Sequence, residues 1–145
     1  MYLWDAATGK RAGGWADKGL LAPLAFSPDG KTIAARKRRK PDAIDYDVVL
    51  WDVATGREQT RVPLTEQLCG SVAFLPDGKL LAVGDEFHGE VHVWGVGTAK
   101  RVARFRGPEG AVVVAFASDD TLISAGADTA LLAWDLRDVR ARPPK

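Results

Sequence analysis

The chain has 145 residues, 46% of them hydrophobic and 27% charged, with a net charge of +1 at neutral pH. That length can bury a substantial core and that composition excludes a disordered chain, while the balanced charge excludes a general attraction to nucleic acid or to an anionic membrane. No apolar run approaches the ~18 residues of a membrane span, the N-terminal Met-Tyr-Leu-Trp-Asp carries no basic lead into an apolar segment, and a single cysteine, Cys69, rules out an intramolecular disulfide, so a cytoplasmic placement is expected.

Residues 1–5 read as a strand, followed by a turn at Ala6-Ala7-Thr8-Gly9-Lys10 in which Gly9 tolerates positive φ. Residues 10–18 are ambiguous between strand and loop. From Leu20 to Phe26 the chain is apolar apart from Pro23, then turns at Ser27-Pro28-Asp29-Gly30-Lys31 and returns as Thr32-Ile33-Ala34-Ala35. Proline fixes φ, and Asp and Gly accept the left-handed conformations of a tight turn, so the segment predicts a hairpin. Val48 to Trp51 forms the next strand and ends in Trp51-Asp52. The hairpin recurs at Ser71 to Val83 around Leu75-Pro76-Asp77-Gly78, and more loosely with Ala111 to Phe116, a turn at Ala117-Ser118-Asp119-Asp120, and Thr121 to Ser124. The Trp-Asp ending recurs around Trp4, Trp94 (followed by Gly95) and Trp134. Trp4, Trp51, Trp94 and Trp134 are 47, 43 and 40 residues apart, and Phe26, Phe74 and Phe116 are 48 and 42 apart. Two landmarks therefore keep nearly one period, which is the mark of a repeat architecture. Short, evenly punctuated strands without a helical apolar period predict an all-β fold.

The apolar-Phe-Ser/Leu-Pro-Asp-Gly hairpin followed by an apolar-Trp-Asp ending, at this spacing, resembles the WD-repeat family. Its units form the four-stranded blades of β-propellers. The resemblance implies an open arc of about three four-stranded antiparallel blades: residues 1–18 as the end of a first blade, 19–66 and 67–107 as full blades, 108–138 as an incomplete blade, and 139–145 as a tail or linker. It also implies a structural hydrogen-bond network linking a His before the first strand of a blade, a Ser or Thr on the second, an Asp in the next turn, and the Trp. Asp45 with Trp51, and Asp128 with Trp134, have the six-residue spacing of that Asp and Trp; Ser124 stands at the Ser position; Gly84 replaces it in the copy before. No Gly-His precedes a first strand, so blades lacking the network are expected to be wired differently.

The copies differ in length. From hairpin tip to Trp the distances are 21 residues (Gly30 to Trp51), 16 (Gly78 to Trp94) and 14 (Asp120 to Trp134). The surplus in the first lies around Arg36-Lys37-Arg38-Arg39-Lys40 and the residues up to Asp45. Five consecutive cations repel one another and solvate, so an exposed, mobile loop balanced by Asp42, Asp45 and Asp47 is expected. The functional alternative is a docking loop for an acidic partner, nucleic acid or a phosphorylated segment.

Both histidines lie in Asp85-Glu86-Phe87-His88-Gly89-Glu90-Val91-His92, among three carboxylates. In a turn entering a strand, four residues span ~13 Å, too far for His88 and His92 to share an ion, so a polar hairpin with exposed side chains is expected and no metal or other cofactor. No Gly-x-Ser-x-Gly elbow or phosphate-binding loop is present, so no catalytic residue is assigned and no enzyme is expected. Trp15, outside the repeated position, is expected to pack. Arg137 to Lys145 is expected to be a linker or a disordered end.

Three and a fraction blades do not close a ring of about seven, within the ~4–8 that propellers use. The chain is therefore expected to be a fragment of a larger propeller, prone to self-association or to association with the missing blades. The expected function is a non-catalytic protein–protein interaction scaffold with a protein or peptide partner. Nucleic acid is not the expected partner, nor is a membrane. The alternative is a sensor or regulatory segment of a larger protein with a catalytic domain outside this chain.

Overall fold

Each repeat folds around two local turns. The computed structural model describes residues 1–15, 19–40, 45–64, 69–107, 109–110 and 112–141. In order they form β1 (Tyr2–Trp4), β2 (Arg11–Gly14), β3 (Leu20–Phe26), β4 (Thr32–Arg38), β5 (Tyr46–Asp52), β6 (Glu58–Pro63), β7 (Cys69–Phe74), β8 (Leu80–Asp85), β9 (Glu90–Gly95), β10 (Arg101–Arg106), β11 (Val113–Ser118), β12 (Thr121–Ala125), β13 (Leu131–Asp135) and the short helix α1 (Arg137–Ala141). Chain neighbours pair antiparallel into four sheets, β1-β2, β3-β4-β5-β6, β7-β8-β9-β10 and β11-β12-β13. The first turn is the Asp-Gly hairpin: Gly30 and Gly78 take φ of +69° and +73°, and their N–H groups donate to Ser27 O and Leu75 O at 2.9 and 2.8 Å. The second follows Trp-Asp. Asp52 Oδ1 accepts from the N–H and hydroxyl of Thr55 at 2.7 and 2.8 Å, and Asp5 does the same with Thr8. The acidic half of the repeated Trp-Asp therefore closes a turn.

Three sequence expectations are corrected. In the last hairpin, Ala117 and Ser118 belong to β11, and Ser118 pairs with Thr121 across a bulge, so the turn shrinks to Asp119-Asp120. The expected tail contains α1, and the division between residues 138 and 139 falls inside that helix. Asp135 takes the Arg137 N–H at 3.0 Å, Leu136 before the helix is fully buried, and Val139 packs against the core; residues 142–145 lie outside the described residues. The basic run is not a loop at its start. Arg36, Lys37 and Arg38 are the last residues of β4, paired with Val48, Asp47 and Tyr46 of β5. Asp42 lies outside the described residues.

The core consists of two seams between sheets. Ala34, Val48, Leu50 and Val62 of the second sheet meet Val72, Phe74, Leu81, Val83 and Trp94 of the third. Ala82, Val91 and Val93 on the other face of the third meet Val114 and Leu122 of the fourth, with Phe105 and Trp134 partly buried beside them. Strand alternation explains this: successive side chains leave opposite faces, so a sheet buried on both reads as continuously apolar. Trp94 and Trp134 lie on the face turned to the preceding sheet. Trp134 stacks on Phe105 at 4.9 Å between ring centroids, and Trp51 on Trp15 at 6.3 Å. Trp15 thus has a packing partner in Trp51, on the face of the second sheet away from the third.

Candidate interaction rim

The antiparallel meander carries β4–β5, β8–β9 and β12–β13, and the crossings between sheets, to one rim. The basic run lies there, and most of its charge meets partners within the chain. Arg36 Nη1 donates to Cys69 O at 3.1 Å and lies 3.4 Å from Glu86 Oε2, bridging the second and third sheets; its guanidinium sits 4.8 Å from the Tyr46 ring centre. Lys37 Nζ is 4.7 Å from the Trp51 ring and 3.9 Å from Glu58. Arg39 donates to Asp47 at 2.8 Å and to Leu64 O at 3.1 Å, and Arg61 reaches the other Asp47 oxygen at 3.0 Å. Asp47 is almost fully buried, and two guanidinium partners are what such a buried carboxylate needs. Arg38 and Lys40 are exposed, with Arg38 5.9 Å from the Tyr46 ring centre.

Next to Arg36 and Glu86 stands the turn 85–88. Asp85 is buried, and its Oδ1 accepts from Phe87 N at 2.7 Å, His88 N at 2.5 Å and His88 Nδ1 at 3.1 Å. This locks the turn and points Phe87 outward, 62% exposed. Sequence reasoning passed over Phe87; the available signal was an aromatic residue between an Asp and a Gly in a turn too short to bury it. Among the described residues no three of His, Cys, Asp and Glu stand close enough to hold a metal ion. Burial pushes the Cys69 thiol up to about 12, so it stays protonated and unreactive near neutral pH.

His92 is fully buried on β9, contrary to the expected exposure. Its Nε2 lies 3.1 Å from Glu90 Oε2 and its Nδ1 3.4 Å from Arg101 Nη1. The neutral ring protonated at Nε2 satisfies both: it donates to the carboxylate and accepts from the guanidinium. Burial lowers the His92 pKa; the Glu90 carboxylate opposes this and the Arg101 charge adds to it. The folded value therefore lies below the unfolded 6.5. As pH falls below 6.5 the unfolded chain takes up a proton that the folded chain refuses, so stability declines until the folded value is passed. Denaturant titrations at about pH 7.5 and about pH 5.5 are expected to show a loss in the wild type that is smaller in His92→Gln; equal losses would show that other groups carry the acid sensitivity.

The expected structural network is partly rewired. Trp134 Nε1 donates to Ser124 Oγ at 2.9 Å. Asp128 does not meet Trp134; it accepts from Ala130 N at 3.0 Å and from Glu109 N at 2.9 Å, and these donors hold its carboxyl below the usual range. Glu109 precedes the first strand of its sheet, so a backbone amide takes the role that the family gives to a His. The Asp45–Trp51 pairing is absent. Asp45 stands exposed just before β5, six residues along an extended strand from Trp51, ~20 Å at ~3.3 Å per residue, and the Trp51 indole N–H has no acceptor among the described residues. Nor does Gly84 occupy the serine's place. Leu122 pairs with Trp134, Leu81 with Trp94 and Ile33 with Trp51, so the residues two further along the same face are Ser124, Val83 and Ala35. Only the first has a hydroxyl, and among the described residues the Trp94 and Trp51 indoles both lack an acceptor.

Antiparallel sheets stacked face to face, with Trp94 and Trp134 each turned to the sheet before, are blades of a β-propeller. No protein-family model matches the chain. Two solved structures, described as "Structure of U3-55K" and "Crystal structure of RRP9 WD40 repeats", superpose with TM-scores of 0.72 and 0.70, each at 22% identity over 86% of this chain and 38% of theirs. The fold is therefore that of WD40-repeat blades. In sequence the chain is 35% identical over 102 residues to Centriole proteome protein 16 of Chlamydomonas reinhardtii, and 29% identical over 104 residues to Cell division cycle 20.1, cofactor of APC complex, of Arabidopsis thaliana. These alignments cover 68% and 70% of this chain but only 5% and 22% of those proteins.

Proposed function

We propose that the chain is a non-catalytic protein–protein interaction scaffold, a section of a larger WD-repeat propeller, that takes a protein or peptide partner on the rim bearing Phe87, Arg38 and Lys40. The observation that carries the reading is Phe87, 62% exposed on a turn held by buried Asp85. A rigid aromatic beside charged groups is the composition of an interface anchor. Within Arg36, Lys37, Arg38, Arg39 and Lys40, to which the docking role is assigned, the proposal centres on Arg38 and Lys40, exposed at the end of β4 and just beyond it. That a relative is named as a cofactor of a complex supports work within assemblies. A cytoplasmic location belongs to the same proposal. The alternative, a regulatory section of a protein whose catalytic domain lies outside these residues, is favoured by the small share of the Chlamydomonas relative that the chain spans.

Selection of a displayed-peptide library on the immobilised chain tests the rim. Enriched peptides are expected to lose about tenfold or more in affinity on Phe87→Asp, the size of an interface anchor, and several-fold on Arg38→Glu. Peptides that bind wild type and both variants alike would remove the rim from the proposal.

A further inference from the structure

The rim runs unbroken across three sheets, and its charge changes sign along the way. Arg36 of the second sheet reaches Cys69 O and Glu86 of the third. The turn that carries Phe87 is tied to the crossing into the fourth sheet: Val112 N donates to Asp85 O at 3.0 Å, and Gly107 N to Gly89 O at 2.7 Å. That crossing is tied in turn to the β12–β13 connection, where Ala127 N donates to Glu109 O at 3.1 Å and Asp128 accepts from Glu109 N at 2.9 Å. At the second-sheet end Arg38 and Lys40 stand exposed, and Asp45 is the exposed carboxylate beside them among the described residues. At the fourth-sheet end Glu109 and Asp128 stand exposed. No lysine or arginine occurs from Gly107 to Leu136, so the fourth sheet has no cation of its own to balance them. Asp120 and Asp135 lie at the opposite rim, where Arg140 and Arg137 meet them. The nearest preceding cation, Arg106, ends the outermost strand β10, opposite Glu90 of β9. Between the two ends, Arg36 and Glu86 neutralise each other, and Phe87 stands beside them.

We propose that the rim takes an extended peptide segment with a fixed charge order: carboxylates over Arg38 and Lys40, an apolar side chain against Phe87, and cations over Glu109 and Asp128. The assignment presupposes that the rim bearing Phe87 is the partner-binding face, and adds the chemistry of what binds there. Stacked sheets lie ~10 Å apart, so the second and fourth are separated by roughly 20 Å, the reach of about six extended residues. Opposite charges at the two ends orient such a segment and reject segments of the wrong pattern more than they add affinity. A nucleic-acid backbone needs cations along its whole length, and the carboxylate end repels it, as it repels a uniformly acidic peptide.

Selection of a displayed random-peptide library on the 145-residue chain tests this. Enriched peptides are expected to carry an apolar residue with acidic residues on one side and basic residues on the other. Synthetic copies are expected to lose about two- to fivefold in affinity for Glu109→Lys, the size of an exposed ion pair, and to regain it when their basic residues are replaced by glutamate. Lys40→Glu is expected to produce the same loss, regained when the acidic residues are replaced by lysine. Both positions are exposed, and circular dichroism is expected to match wild type. Reciprocal rescue separates a charge contact from a disturbed fold, which no change in the peptide repairs. Raising salt from about 50 mM to about 500 mM is expected to narrow the gap between wild type and Glu109→Lys. Peptides that need Phe87 but show no charge order, are acidic on both sides, or bind Glu109→Lys as they bind wild type would overturn the charge order and leave the rim as the binding face. Peptides indifferent to Phe87→Asp, or no enrichment at all, would overturn both.

Discussion

Gly84→Ala is expected to cost more than about 3 kcal/mol, enough to lower the melting temperature by roughly 10 °C in a domain of this size. A Cβ at residue 84 would sit 2.2 Å from Val112 O and 3.0 Å from Val112 C. No side-chain rotation relieves a contact with backbone. Val112 cannot simply retreat: its N–H donates to Asp85 O at 3.0 Å, and its side chain is 1% exposed in the seam between the third and fourth sheets. Moving it breaks a buried hydrogen bond and opens a packed interface, the usual consequence of overfilling a core. Gly97→Ala is the control, since a Cβ there meets nothing within 4 Å, and it is expected to fall within about 0.5 kcal/mol of wild type. Both variants are to be compared at one protein concentration. A Gly84→Ala protein as stable as the Gly97→Ala protein would mean that the two sheets do not approach so closely.

Much of this fold is written in local chemistry, and that part can be read from the residues. Asp29-Gly30 and Asp77-Gly78 are hairpin turns wherever they occur, and Trp51-Asp52-Val53-Ala54-Thr55 closes a turn through its own Asp and Thr. What depends on pairing between distant strands is harder to read. Counting ten residues back from Trp94 lands on Gly84, but Trp94 pairs with a residue 13 before it (Leu81) where Trp134 pairs with one 12 before it (Leu122), and the register assigns the serine's place to Val83. The basic run looks like a loop because its charge partners, Asp47 and Glu86, lie 8 and 50 residues away from Arg39 and Arg36, while Arg36, Lys37 and Arg38 extend β4 by pairing with Val48, Asp47 and Tyr46. Helix α1 has five residues, too few for an apolar period to show. Phe87 could not be told from a core aromatic without knowing that its turn stands at a rim. His92 looked polar and exposed because its neighbours in sequence are; the strand places it inside, where Glu90 and Arg101 satisfy it.

The second large effect follows from that register, and it has opposite signs at equivalent places. Ser124→Ala removes the acceptor of the Trp134 indole in a site where Ser124 is fully buried, leaving an orphaned donor at a cost of about 1–3 kcal/mol. Val83→Thr and Ala35→Ser do the reverse. Each places a hydroxyl where Ser124 Oγ lies in the last sheet, facing the unpaired indoles of Trp94 and Trp51. Burying a hydroxyl without a partner costs about 1–3 kcal/mol, and a new hydrogen bond returns about 0.5–1.5 kcal/mol net while also relieving the orphaned N–H. Both substitutions are therefore expected to be neutral or stabilising by up to about 1 kcal/mol. Val93→Thr supplies the contrast: Val93 is as buried as Val83, on the opposite face of the same sheet, with no orphaned indole on its side, and the same exchange there is expected to destabilise by about 1–3 kcal/mol. The difference between Val83→Thr and Val93→Thr, measured as denaturant midpoints at constant slope, isolates the indole bond from the burial of the hydroxyl. Equal losses at both positions would show that residue 83 does not face Trp94, and the equivalence of Ser124, Val83 and Ala35 across the three blades would fall with it.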